Sequence, residues 1–320
     1  MTRIICGVDV SSKTLEARIG QQGAAGSFAN NPEGIAALAA FCQLHRAELV
    51  AMEATGGYEQ QAFALLSAQD LRVAILNPRS VRQFAQSMGR LEKTDRIDAG
   101  MIAWYAEVKQ SPPACLAPAS QQHLRALVTR LRQLTDLRTI QLHQQRLVTD
   151  RAVRASFKKL LAVLERQTEE LERRIAALLD QDPLWRELDR AFRTIKGVAD
   201  RTVARVMAEM PEIGARSNKT VSKLAGLAPI ANDSGKHQGK RAVRGGRAAV
   251  REILFIVASV VGRHEPDFIA FQKRLRAAGK PPKVVRIALA HKLLVRLNAK
   301  AREVRQKLAT SQAGITAQAA

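Results

Sequence analysis

Cysteine is scarce in this chain: Cys6, Cys42 and Cys115 are the only three in 320 residues. They are scattered, odd in number and in no metal-ligand spacing. That pattern excludes a disulfide framework and a thiolate zinc site and fits a reducing cytoplasm. The histidines form no cluster either. No apolar run approaches the roughly 20 residues needed to span a bilayer, and the most apolar later stretch, Ile253 to Val261, is expected to be a buried helix. The first residues enter a strand-like segment without a charged lead and apolar signal core, which argues against export. No lipidation or polybasic juxtamembrane pattern is present, so no membrane partner is expected.

Basic residues, by contrast, are abundant, giving a net charge of +22. Through residue 110 there are 11 Lys and Arg against 11 Asp and Glu, whereas from residue 190 onward there are 27 against 8, an excess of 19. The charge therefore belongs to the C-terminal part. Such a concentration is what a phosphate-neutralising surface requires, and DNA or RNA suits it better than an anionic membrane.

Alternation and turn residues predict three short strands at Arg3 to Asp9, Thr14 to Gly20 and about Ala25 to Ala29. Asn31-Pro32-Glu33 opens a helix to about Arg46. A buried strand at Glu48 to Met52, a helix at Tyr58 to Ala68 and a strand at Arg72 to Leu76 follow. An antiparallel meander running on into alternating α/β is the layout of a ribonuclease-H-like (RuvC-like) domain, here over 1-110. Three prolines in Ser111 to Pro118 mark a linker. Leu124, Leu127, Leu131 and Leu134, then Phe157, Leu160, Leu164, Leu171 and Leu178, predict a helical coiled-coil module over 119-182, with Gln167 and Arg174 at its weak positions. That pair of helices either packs on itself or joins two chains.

A mainly α domain is expected over 190-309, followed by a disordered tail at 310-320. Ile195-Lys196-Gly197-Val198-Ala199 ahead of a helix resembles a helix-hairpin-helix, with Ala199 where a second glycine is usual. Ala228 to Arg247 reads as a long, basic, glycine-rich loop, a length that is functional or disordered inside compact domains.

Four acids stand out. Asp9 and Glu53 end apolar strands, where a carboxylate is costly unless paired or metal-bound. Asp95 and Asp98 lie three residues apart in Lys93-Thr94-Asp95-Arg96-Ile97-Asp98-Ala99, within one turn of a helix start. Singly, each has a plainer role: Asp9 could cap the Ser11-Ser12 turn, Glu53 could pair with Arg79, and Asp95 and Asp98 could form a solvated helix start behind Thr94. Together, brought to one sheet edge, they favour a divalent-metal site. Carboxylates alone select Mg²⁺ or Mn²⁺ over zinc, and a pair of such ions clamps the attacking and leaving oxygens of a phosphodiester.

These segments, together with Glu53-Ala54-Thr55-Gly56-Gly57-Tyr58 and Ser234-Gly235 followed by Gly239, Arg241, Gly246 and Arg247, resemble the DEDD transposases of bacterial insertion sequences, a family that includes pilin-gene invertases. The resemblance covers nearly the whole chain. It implies that Asp9, Glu53, Asp95 and Asp98 bind Mg²⁺ and that Ser234 is a nucleophile forming a phosphoserine link to DNA. It further implies a recombinase acting as dimers and tetramers on donor and target DNA, in some members guided by a structured bridge RNA, within a bacterial cytoplasm.

Read from the residues alone, Ser234 between Asp233 and Gly235 is a turn residue. Its surroundings add more. Lys236, Lys240, Arg241, Arg244 and Arg247 supply cations suited to nucleic-acid phosphates, and the glycines permit close backbone approach. Deprotonation of the hydroxyl needs a base, and His237 is the nearby imidazole. The expectation is that metal held by the tetrad activates Ser234 across a domain interface. Rival readings are a junction-resolving nuclease using metal-activated water and a non-catalytic nucleic-acid organiser.

Overall fold

The computed structural model describes residues 3–89, 95–235, 237–239 and 241–318, with the backbone alone for 95–98, 237–238 and 312–318. It divides into two compact units, Met1–Ala117 and Pro118–Ala320.

The first unit contains β1 (Ile5–Val10), β2 (Thr14–Ile19), β3 (Ala25–Ala29), α1 (Pro32–Leu44), β4 (Leu49–Glu53), α2 (Glu59–Ser67), β5 (Val73–Leu76), α3 (Pro78–Ser87) and α4 (Asp95–Val108). The sheet order is β3-β2-β1-β4-β5. The β1–β2 and β2–β3 pairs are antiparallel, and β4 is parallel to both β1 and β5. This is the expected meander running on into α/β. Ser11 Oγ closes the first turn by accepting from Thr14 N at 2.8 Å and Lys13 N at 3.2 Å. Asn31 and Asn77 cap α1 and α3, each followed by proline at the first helical position, where its missing N–H costs nothing.

The strands divide their side chains between two layers with the period of two that a pleated strand imposes. Cys6, Val8, Val10, Val50, Met52 and Val73 pack on one face against Ile35, Leu38, Cys42, Ala62 and Leu66 of α1 and α2. Ile5, Leu49, Ala51, Ala74 and Leu76 face the other way, onto Val81 of α3 and Ile102, Ala103 and Tyr105 of α4. Gly7 lies in phase with this second set. A Cβ built on it would stand 2.0 Å from Ala99 O and 2.6 Å from Ala103 N, so the backbone of α4 rests directly on β1.

The second unit contains α5 (Ala119–Arg146), α6 (Arg151–Gln181), α7 (Pro183–Arg193), α8 (Asp200–Glu209), α9 (Asn218–Leu224), four two-residue strands, α10 (Ala248–His264), α11 (Pro266–Ala277) and α12 (Pro282–Gln318). The strands are β6 (Pro229–Ile230), β7 (Asp233–Ser234), β8 (His237–Gln238) and β9 (Ala242–Val243). One core unites it: Leu124, Leu131, Ile175 and Leu179 belong to the same cluster as Phe192, Met207, Leu254, Leu293 and Leu297. The stretches 119-182 and 190-309, expected as separate modules, therefore share their interior. Buried Asn298 ties α12 to the α8–α9 connection, accepting from Gly214 N at 2.8 Å and donating to Arg216 O at 3.0 Å and Asn218 Oδ1 at 2.8 Å.

Three details depart from expectation. On α6 the buried positions are Leu164, Thr168, Ile175 and Leu179, while Gln167 and Arg174 face solvent. A helix of 3.6 residues per turn drifts off a strict heptad, and Ile175 is the better core residue. The residues from 310 that were expected to be a disordered tail continue α12 to Gln318, in keeping with the helix propensity of Ala and Gln. The stretch 228–247 is not an irregular loop but two nested hairpins, β6 with β9 and β7 with β8. In the turn between α7 and α8, Gly197 has φ +96°. Ala199 has extended backbone, φ −111°, which explains why glycine is not required there.

Replacing Gly7 with Ala should force α4 off the sheet. We expect a loss of about 1–3 kcal/mol or more, read as a lowered urea midpoint of the full chain.

Candidate catalytic carboxylates and the serine arm

The β1–β4 ladder pairs Ile5 with Leu49, Cys6 with Val50, Gly7 with Ala51 and Val8 with Met52. Asp9 and Glu53 are the next residues along the two strands. Both share the phase of Gly7 and Ala51 and therefore the α4 face of the sheet, on neighbouring strands about 4.8 Å apart. Both are partly buried and both engage neighbouring groups. Asp95 and Asp98 occupy the first turn of α4, and Asp98 immediately precedes Ala99, whose carbonyl lies on Gly7. The topology thus brings all four positions to one face and one end of the sheet. The side chains of Asp95 and Asp98 lie outside the described residues. Among the described residues no group of three or more His, Cys, Asp or Glu is placed to hold a metal ion.

Two further carboxylates shape this region and were not singled out from the sequence. Glu16 pairs with Asp9 across β1–β2, adding an acid on a third strand, and accepts from Ser27 Oγ at 2.5 Å. The alternation of Thr14–Ile19 puts Glu16 in phase with Asp9 and was the available signal. Glu59, 9% exposed, accepts from Thr55 N at 3.0 Å and Gly57 N at 2.9 Å. It fixes the turn that leaves Glu53, in which Gly56 and Gly57 have φ of +77° and +120°.

In the second unit the nested hairpins form an arm. Ser234 is exposed beside the inner turn, paired with His237 and followed by Gly235 at φ +54°. Arg241 bonds Asp233 at 2.8 Å across the arm, and Arg244 is exposed. Lys236 and Lys240, with the His237 side chain, lie outside the described residues. At the base, Gly246 presses on Gly226, where a Cβ would meet Gly226 N at 2.2 Å. Arg247, expected among the phosphate contacts, is engaged within the fold at the arm's base. Its guanidinium meets Glu212 in two bonds of 2.6 and 2.7 Å and donates to Glu209 O at 2.7 Å. Burial, the largest single influence, would raise the Glu212 carboxyl, but the Arg247 hydrogen bonds, a backbone hydrogen bond and the charges of Arg247 and Arg216 together hold it below its ordinary value. Arg247 is held above its own by the same bonds. His291 likewise has an internal role, with Nε2 3.0 Å from Ser222 Oγ and burial pushing its pKa down.

Residues 6–153 match a family model of the IS110 DEDD type described as transposase, and residues 189–273 match the transposase IS116/IS110/IS902 family. The chain belongs to the DEDD transposases. It is similar to the pilin gene-inverting proteins of Moraxella bovis and Moraxella lacunata. Each is 26% identical over 313 residues, covering 92% of this chain and 94% of the relative. A Thermus thermophilus RuvC structure aligns with 35% of this chain and 99% of its own, at 17% identity and a TM-score of 0.25.

In this DEDD transposase Asp9, Glu53, Asp95 and Asp98 are all carboxylates. Their oxygens fit a hard divalent cation. No helix among the described residues is long and apolar enough to cross a membrane.

The Glu212–Arg247 clamp carries a pH signature. A carboxyl held below its ordinary value stabilises the fold above the unfolded pKa, about 4.3 for Glu. That contribution disappears as pH falls through the folded value. We therefore expect Glu212→Gln to lower the melting temperature at pH 7, and the wild-type and variant melting curves to converge as the pH falls below the lowered folded value of Glu212.

Proposed function

We propose that this transposase cleaves and rejoins DNA strands, with Asp9, Glu53, Asp95 and Asp98 holding Mg²⁺ or Mn²⁺ and Ser234 serving as the nucleophile. The first unit is read as a ribonuclease-H-like domain. The observation that carries the proposal is the placement of Asp9 and Glu53 at the ends of adjacent parallel strands, in phase with Gly7 and Ala51 on the sheet face that α4 covers. Carboxylates gathered on adjacent strands offer hard oxygen donors of the kind a divalent cation takes. A divalent ion there supplies charge stabilisation for the non-bridging, attacking and leaving oxygens of a phosphodiester.

The chain's own residues do the rest. Glu59 fixes the turn after Glu53, and Gly7 lets α4 approach until its first turn reaches the level of Asp9. In the strand-transfer step the Ser234 oxygen bonds to phosphorus as the bond to the leaving deoxyribose oxygen breaks. The serine proton is lost and the leaving oxygen gains one. Exposed Ser234, on an arm with cations at Arg241 and Arg244, is suited to meet a DNA backbone. Reversal of the same step with a different DNA hydroxyl rejoins the strands without external energy.

We further propose that the chain works as a homo-oligomer with a structured guide RNA. The tip of the α5–α6 pair leaves Ile140 at 51% and Leu147 at 86% exposure, apolar surface that a second copy would cover. The excess of 19 cations beyond residue 190 exceeds what contacts within the chain consume.

Incubating the protein with DNA and Mg²⁺, then denaturing, tests the chemistry. Wild type should yield a covalent protein–DNA adduct. Ser234→Ala should bind DNA yet yield none, and Asp9→Asn or EDTA should reduce cleavage to background. Cleavage by Ser234→Ala at the wild-type rate would point to water as the nucleophile. Undiminished cleavage in EDTA would refute the metal site.

A further inference from the structure

Beyond the arm, α10, α11 and the start of α12 surround a concavity of about 610 Å³. Its charged lining is Arg263 of α10, Arg276 of α11, and Lys283 and Arg286 of α12, and no carboxylate lines it. The volume lies within the range of ligand pockets, about 300–1,000 Å³. Among the described residues, none of these four cations has an Asp or Glu within ion-pair distance, although Arg193, Arg201, Arg205, Arg247 and Arg296 of the same unit each do.

Scarcity of acids alone would leave cations unpaired but also loose, and two of these are held in place by neutral groups. The Arg286 guanidinium lies over the Phe255 ring, 4.8 Å from its centroid. With the Gln272 amide oriented to donate to Gly262 O, its carbonyl accepts from Arg276 at 3.2 Å. Such partners fix a guanidinium without neutralising it. The first turn of α12 at Pro282–Lys283 adds the positive end of a long helix dipole at the same wall. Converging uncompensated charge destabilises an empty hollow, and an anion removes that cost.

The surroundings favour a polymer over a small free anion. Ile256 is 58% and Val284 50% exposed, on the same helices as the cations, and offer apolar contact to sugars between phosphates. The Ser234 arm is rooted at the N-terminus of α10, and Arg263 lies near its other end. At 1.5 Å per residue that is about 24 Å from the arm's base, or roughly seven steps of a DNA strand.

We propose that Arg263, Arg276, Lys283 and Arg286 bind backbone phosphates of the DNA engaged at the Ser234 arm, forming an anchoring site separate from the residues that do chemistry. This rests on the reading that DNA is worked on at that arm. The affinity of the full-length protein for a fluorescent duplex DNA, measured against KCl concentration, tests it. Each lost phosphate contact lowers the slope of log K against log salt by about 0.9. Arg263→Gln with Arg286→Gln should lower it by about 1.8, and Lys283→Gln, at an exposed position that folding does not need, by about 0.9. Lys158→Gln with Lys159→Gln, removing the same charge from exposed positions on α6, should leave the slope at the wild-type value. Unchanged slopes in the hollow variants, or an equal fall in the α6 control, would overturn the proposal. So would weakened binding of a structured RNA hairpin with duplex binding intact, which would assign the hollow to RNA. Adduct formation is scored separately, so failure of the Ser234 chemistry leaves the salt slopes readable.

Discussion

Backbone lies on backbone where α4 crosses Gly7, and the first unit depends on that contact. A side chain at position 7 would hold the helix several ångströms from the sheet. Ile5, Leu49 and Ala51 would then lose the apolar surface of Ile102 and Ala103, which the contact presently buries. The same approach sets the height of the helix's first turn above the strand ends. Packing and chemistry are thus coupled through one residue without a side chain, because Asp9 follows Gly7 by two positions and Asp98 precedes Ala99 by one.

The second unit solves a different problem, holding an exposed arm steady while leaving its tip accessible. Four two-residue strands cannot supply a core, and short hairpins alone are marginal. Stability has to enter at the base. Gly226 and Gly246 bring the two ends of the arm together, and the Arg247–Glu212 pair locks that junction with two hydrogen bonds in a partly buried setting, where such bonds are stronger than at the surface. The Arg241–Asp233 pair, more exposed, contributes less.

Much of this was legible in the residues. Period-two alternation and the Asn-Pro helix starts revealed the order of the first unit, and apolar flanks isolated Asp9 and Glu53. Register was harder to see, because the placement of Glu53 alongside β1 depends on where β4 docks, and Glu16 pairs with Asp9 only once β2 folds back. Glu59 is one acid among many until the turn it caps is known. Arg247 shows the limit most clearly. In a run of glycines and cations it looks like its neighbours, and its partner Glu212 is 35 residues away. The same distance in sequence conceals the burial of His291 against Ser222. On α6 the expected seam residue Leu164 is buried and Leu171 and Leu178 do pack against the core, while Thr168 and Ile175 take the buried places beside Gln167 and Arg174.

What separates a structural arginine from one kept for a ligand is therefore its partner rather than its position in a basic stretch. Arg247 faces a carboxylate, and its charge is consumed within the fold. Arg286 faces a phenyl ring and Arg276 an amide carbonyl, so both are oriented while their charge remains available. Orientation by neutral partners reduces the entropy lost when an anion binds and leaves the Coulombic gain intact. In a unit with so few acids, the placement of each one decides which cations hold the fold together and which remain for a phosphate. The eight acids beyond residue 190 include Glu212 at the arm's base and Glu265 beside Arg296, and none lines the α10–α12 hollow.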